Sequence, residues 1–231
     1  MALSGEIQSL RDRVLTDLNA AHDYYTDTKI AWEIVRRAID NGDTFSIRNM
    51  ATGTVTTHVE LVQKSRGYVA EQLAEATFQQ FISIFESYFF DLVRLWLTEY
   101  PQNLSARKVD FRDVLAAPDK DAITAHVVSK EVNEILYDRP TAWFEYLEDK
   151  AKLGCPTPEE IAKIAEAKAS RDVLVHSRGV AGKAYESKAG NLARYKDGER
   201  IDIPEHYHRE TWVLLRKVIA DLSNAAIAKV P

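Results

Sequence analysis

Apolar residues recur at spacings of three and four along most of the chain, and few runs alternate as a half-buried strand would. From about Glu6 to Ile39 they fall at Ile7, Leu10, Val14, Leu15, Leu18, Tyr25, Ile30, Trp32, Ile34 and Val35, and Asn41-Gly42-Asp43 marks a helix stop. Thr44 to Thr57 is rich in β-branched residues and predicts a loop or a short hairpin. A long helix follows, starting near Val59 or Val69 and ending before Pro101. Its second half repeats Phe78, Phe81, Ile82, Phe85, Phe89, Leu92, Val93 and Trp96, the stripe of a central core helix. Glu86, one step beyond Phe85, reads as an exposed or rim carboxylate, or as the partner of a buried cation.

Shorter helices come next: a weak one over Val109 to Leu115, a better one over Asp119 to Tyr137, and another from Pro140 through Trp143, Phe144, Tyr146 and Leu147. Pro156-Thr157-Pro158-Glu159-Glu160 has the form of a helix start, with Thr157 as cap, Pro158 at the first position and Glu160 reaching back. That helix runs to His176 and ends around Gly179. Gly179 to Ile203 reads as a long irregular loop with a small hairpin near Lys196-Asp197-Gly198-Glu199, before a last helix from Pro204 to Ala228. The expectation is an all-α helical bundle forming one domain over residues 1–231, with 1–57 as a helical extension and loop, and 58–231 as the core.

Composition narrows the function classes. With 231 residues, 45% of them hydrophobic, the chain can build one sizeable core, while 9 Gly and 7 Pro argue against a collagenous or turn-dense chain. The most apolar window, Phe78 to Leu97, holds Glu86, Asp91 and Arg94, so no membrane span is expected. Glu6, Arg11, Asp12 and Arg13 break the start too early for a signal peptide, and the single Cys155 suits a reducing, cytoplasmic compartment. A net charge of -5 argues against a globally basic, nucleic-acid-coating surface. The charge is unevenly spread, however. Lys163 to Arg200 carries nine cations against five carboxylates, a surplus of +4 that leaves -9 for the remainder.

Within that segment lies Ser170-Arg171-Asp172-Val173-Leu174-Val175-His176-Ser177-Arg178-Gly179. On a helix Arg171 falls about 20° from Ile164, with Val175 about 20° on the other side, so a guanidinium sits in an apolar stripe and needs anionic or carbonyl partners. Asp172 and His176 lie about 40° apart on one flank, close enough for the carboxylate to hold a ring nitrogen and raise the basicity of the imidazole. A plain structural reading stands beside this one: an interior Arg satisfying a buried carboxylate, with His176 favoured by the helix C-terminus.

The run Arg171-Asp172-Val173-Leu174-Val175-His176 resembles the signature of HEPN domains (higher eukaryotes and prokaryotes nucleotide-binding): an Arg, a polar residue, three variable residues and a His. The Phe85-Glu86 step, Gly179, Tyr185 and the Ile201-x-Ile203 run before the last helix are similar to the RiboL-PSP branch, over roughly Glu71 to the C-terminus. Asp172 stands where many members carry Asn. The resemblance implies a bundle that dimerises with two motifs facing one another. It also implies a metal-independent, cofactor-free endoribonuclease that leaves a 2′,3′-cyclic phosphate and a 5′-hydroxyl. Arg171, Asp172 and His176 are then the catalytic candidates, with Ser177, Arg178, Lys183, Tyr185 and Lys188 as RNA-binding candidates. A toxin or defence role under an antitoxin or regulatory protein fits that picture. The alternatives are a non-catalytic nucleotide-, RNA- or protein-binding module and a purely structural helical protein.

Other candidates carry less. His206 and His208 point about 200° apart on a helix and read as surface residues rather than metal ligands. Cys155 has no partnering His nearby in sequence, and Gly179, Gly182 and Gly190 lack the strand and Lys-Ser or Lys-Thr pair of a phosphate loop. Tyr185, Tyr195 and Tyr207, in or near the basic stretch, are read as potential base-stacking residues.

Overall fold

A computed structural model describes residues 2–104 and 109–230, and its architecture is all-α. Helix α1 spans Leu3–Asp40, a two-stranded hairpin joins β1 (Ser46–Arg48) to β2 (Val55–Thr57), and α2 covers His58–Gly67. A π-helical stretch, Tyr68–Leu73, carries α2 without a break into α3 (Ala74–Glu99). Then come α4 (Phe111–Ala116), α5 (Lys120–Leu136), α6 (Pro140–Ala151), α7 (Pro158–His176), α8 (Lys183–Ala189) and α9 (Glu205–Lys229). No helix among the described residues is long and apolar enough to cross a membrane.

The Phe-rich stripe places α3 at the centre. It packs against α1, α5, α7 and α9, and Phe78, Phe81, Phe85 and Phe89 are fully buried. Truncating one of these rings to Ala costs about 3–5 kcal/mol in a core of this kind. The core also takes in Leu3, Ile7, Leu10, Val14, Leu18 and Tyr25, so it continues into the segment read as an N-terminal extension. Beyond Tyr25 the apolar positions Ile30 and Ile34 face outward instead.

Two expected starts meet in one helical run: it begins at His58 because Thr57 and Glu60 form a reciprocal capping box. The same device opens α7, where Thr157 Oγ1 accepts from the Glu160 N–H and the Glu160 carboxylate accepts from the Thr157 N–H. A cap of this type is worth about 1 kcal/mol.

The stretch expected to be an irregular loop is more ordered than its glycines suggest. Ser177 and Gly179 both donate backbone N–H groups to the Val173 carbonyl, and Arg178 and Gly179 take left-handed φ values of 52° and 78°. That reversal suits glycine at 179 and returns the chain along residues 198–201, through bonds Ala181 to Glu199, Gly198 to Ala181 and Ile201 to Gly179. Lys196–Glu199 is therefore the turn between distant partners rather than a local hairpin. Between them sits α8, whose Tyr185 and Ala189 pack with Ala169, Val173, Ala181 and Ile201 in a small second core under α7.

Candidate functional site

Two clusters of charged residues grow from opposite flanks of α7. The first faces an open cleft of about 660 Å³ between α7, α8 and the turn joining α5 to α6. Arg171 reaches across to α3, where its Nη2 donates to Glu86, while its Nη1 lies 3.3 Å from Asp172. Lys168, one turn earlier, is 3.1 Å from Glu86 and 3.3 Å from Asp172. Lys188, from α8, closes the set at 3.3 Å from Asp172. Glu86 is thus mostly buried and shared by two cations instead of lying free at the rim. The sequence carried a signal for Lys168, since Lys168 and Asp172 are four apart on one face, but a spacing cannot show that α3 supplies their common acid.

The expected contact between Asp172 and His176 is not formed. Helical side chains lean toward the N-terminus, so the Asp172 carboxylate turns back to Lys168 rather than forward to His176. Three cations, Arg171, Lys168 and Lys188, already share that carboxylate. His176, the last residue of α7, is exposed at the cleft with its ring free of hydrogen bonds among the described residues. Ser177 and Lys188 line the same cleft. Arg178 and Lys183 are exposed but lie outside its lining. Arg171 Nε is buried and finds no acceptor, which leaves one guanidinium donor unused.

The second cluster is sealed. Glu166 is 3% exposed; its Oε1 accepts from Ser170 Oγ at 2.8 Å, Tyr185 Oη at 2.8 Å and Arg194 Nε at 3.1 Å, and its Oε2 accepts from Tyr207 Oη. The Arg194 guanidinium stacks 3.5 Å from the centre of the Tyr207 ring. Burial, with the Glu166 charge second, pushes the Tyr185 hydroxyl up to about 12, and Tyr207 moves in the same direction for the same causes. Both hydroxyls therefore stay protonated and donate. Of the tyrosines read as base-stacking candidates, Tyr185 lines the cleft but is 2% exposed and packs in the second core, which leaves no ring face for a base; Tyr207 donates inward to Glu166, and Tyr195 gives its hydroxyl to Asp202.

His206 and His208 are also not a surface pair. His208 is buried, with Nε2 2.8 Å from Thr77 Oγ1 and its ring against Tyr25 and Phe81, whereas His206 faces solvent. Burial lowers the pKa of His208 to about 4. Among the described residues no group of three or more His, Cys, Asp and Glu side chains is placed to hold a metal ion. Cys155 is half-buried, and burial raises its thiol pKa, which disfavours the reactive thiolate.

The cleft, then, offers four cations against three carboxylates, an unencumbered imidazole and a guanidinium held in place from a neighbouring helix. Such a set can bind a phosphodiester and move a proton beside it. No family model, curated protein or solved structure matches this chain.

Proposed function

We propose that the chain is a metal-independent endoribonuclease of the HEPN type, cleaving RNA through attack of a ribose 2′-hydroxyl on the adjacent phosphate. The observation that carries this reading is the convergence of Arg171, Lys168, Lys188 and the free ring of His176 on one open cleft. In-line attack needs a base for the 2′-hydroxyl proton, an acid for the leaving 5′-oxygen, and positive charge for the phosphoryl oxygens. His176 serves as base or acid. Arg171 supplies positive charge for the phosphate, its terminal nitrogens held by Glu86 and Asp172. Asp172 acts on the cations rather than on the imidazole: it orients Arg171, Lys168 and Lys188.

One histidine per chain does half of an acid–base pair, which favours a homodimer in which two motifs share a composite site. The exposed end of α7, with Val175 beside His176, leaves that face open to a second copy. A cytoplasmic toxin or defence effector restrained by a partner protein is the corresponding setting.

The test is cleavage of RNA in the presence of chelator by the wild type and by His176→Ala. Cleavage by the wild type alone is expected, and equal cleavage by both proteins removes His176 from the chemistry. A second reading, a binding module without turnover, is favoured by one observation: Glu86 already occupies Arg171. It predicts RNA or nucleotide binding that survives His176→Ala, fails with Arg171→Ala, and leaves the ligand intact.

A further inference from the structure

The cleft has a charged floor and an apolar rim. In the same lining as His176, the turn between α5 and α6 presents Leu136 and Tyr137, and the segment after α7 presents Val180; they are 41%, 88% and 43% exposed, respectively. An aromatic residue exposed to that degree gains nothing from the core, and the Tyr137 ring meets no other ring or cation among the described residues. The turn that holds it is nevertheless fixed. Asp138 N–H bonds the Ile135 carbonyl at 2.9 Å, buried Pro140 begins α6, and Arg139 reaches over the cleft mouth to Ser187 on α8, with Nη2 3.3 Å from the hydroxyl and Nη1 3.5 Å from the carbonyl.

From this arrangement we infer that Tyr137 is a stacking platform for one unpaired base, and that the cleft selects single-stranded over double-stranded RNA. This rests on the reading of the cleft as an RNA site. A bare phosphate or an acidic peptide would use the cationic floor and leave the rim idle; a nucleotide uses both, with its phosphate on the floor and its base against Tyr137. Inside a duplex both faces of every internal base are already stacked, so away from the duplex ends an exposed ring can engage only a base that is free of the stack. Arg139 is a positioning residue in this scheme, holding the platform turn to the opposite wall.

The experiment measures binding of a fluorescent single-stranded RNA, 2′-O-methylated at every ribose so that it cannot be cleaved, and of its blunt duplex, to the full chain by anisotropy. Tyr137→Ala is expected to weaken single-strand binding about tenfold, Tyr137→Phe to retain it, and the wild type to prefer the single strand to the duplex by about tenfold or more. Thermal melting of the variants checks that the fold is intact. Wild-type affinity in Tyr137→Ala together with lost affinity in Arg171→Ala overturns the platform and leaves the RNA site standing. No binding of either RNA by the wild type overturns both. Unchanged RNA affinity with weakened self-association in Tyr137→Ala also overturns it, and makes the rim an interface between copies.

Discussion

The two flanks of α7 use similar chemistry to opposite ends. On one, Glu166 is 3% exposed and surrounded by Arg194, Ser170, Tyr185 and Tyr207, so both of its oxygens are satisfied from within the chain. On the other, Arg171, Lys168 and Lys188 share Glu86 and Asp172 in an open cleft, with His176 unengaged. A buried carboxylate that is fully satisfied fixes α7 against α8 and α9, because any unmade bond there costs the full desolvation of its groups. A cluster that lines an open cleft and carries a cation in excess, with Lys188 about half exposed, has charge left over that points toward a ligand. The lesson is that an Arg paired with a Glu is not informative by itself; burial and completeness decide whether the pair holds the fold or waits for an anion.

Breaking the sealed side gives the largest expected effect. Glu166→Ala leaves the half-buried Arg194 and two tyrosine hydroxyls without their shared acceptor and is expected to lower unfolding free energy by about 3 kcal/mol in urea melts, with Glu166→Gln costing less. A loss below about 1 kcal/mol for Glu166→Ala would show that this network does not hold the helix.

Acid probes the same interior through His208. Its pKa drops from 6.5 to about 4 on burial, among Thr77, Tyr25, Phe81, the His22 ring and the Glu205 carboxylate, which opposes the drop. Between those pH values the unfolded chain binds a proton that the folded chain refuses. Stability is full above pH 6.5 and falls by about 1.4 kcal/mol per unit toward pH 4, about 3 kcal/mol in all. His22, shifted down mainly by burial, adds in the same direction. Unfolding measured across this range should lose that slope in His208→Gln.

On the cleft side stability and function part company. Arg171→Ala leaves Glu86 with Lys168, so the stability loss is expected to be about 1 kcal/mol, while RNA cleavage falls at least about a hundredfold. A loss of several kcal/mol with unchanged activity would make this flank structural too, erasing the contrast. The smallest effects belong to the remaining cations. Lys188→Ala should weaken RNA binding several-fold and reduce its salt dependence, more than Arg178→Ala or Lys183→Ala, because Lys188 alone of the three lines the cleft.

The helices were legible because their signals are local. The Phe stripe of α3, the Thr157 to Glu160 box and the stop at Pro101 each act over a few residues, and the observed boundaries follow them. Helix α8 escaped because its seven residues, flanked by Gly182 and Gly190, are too few to show a periodicity; only its packing under α7 makes it a helix. Most of the candidate site was visible as a string of residue types, but most of their partners were not. Asp172 turned to Lys168 because of side-chain direction along the helix, Tyr185 and Tyr207 were drawn inward by Glu166, and the Tyr137 turn joins the cleft from a segment more than thirty residues before the motif. The Lys168 to Asp172 contact is local and its spacing of four encodes it, whereas the contacts of Tyr185, Tyr207 and the Tyr137 turn are long-range, and no spacing encodes them.

The most direct test of the cleft as a site of 2′-hydroxyl attack is the chemistry of the RNA ends. The account predicts fragments ending in a 2′,3′-cyclic phosphate and a 5′-hydroxyl, and no cleavage at a site whose scissile nucleotide carries a single 2′-deoxy substitution. Fragments with 3′-hydroxyl and 5′-phosphate ends, or undiminished cleavage at the deoxy site, would contradict it.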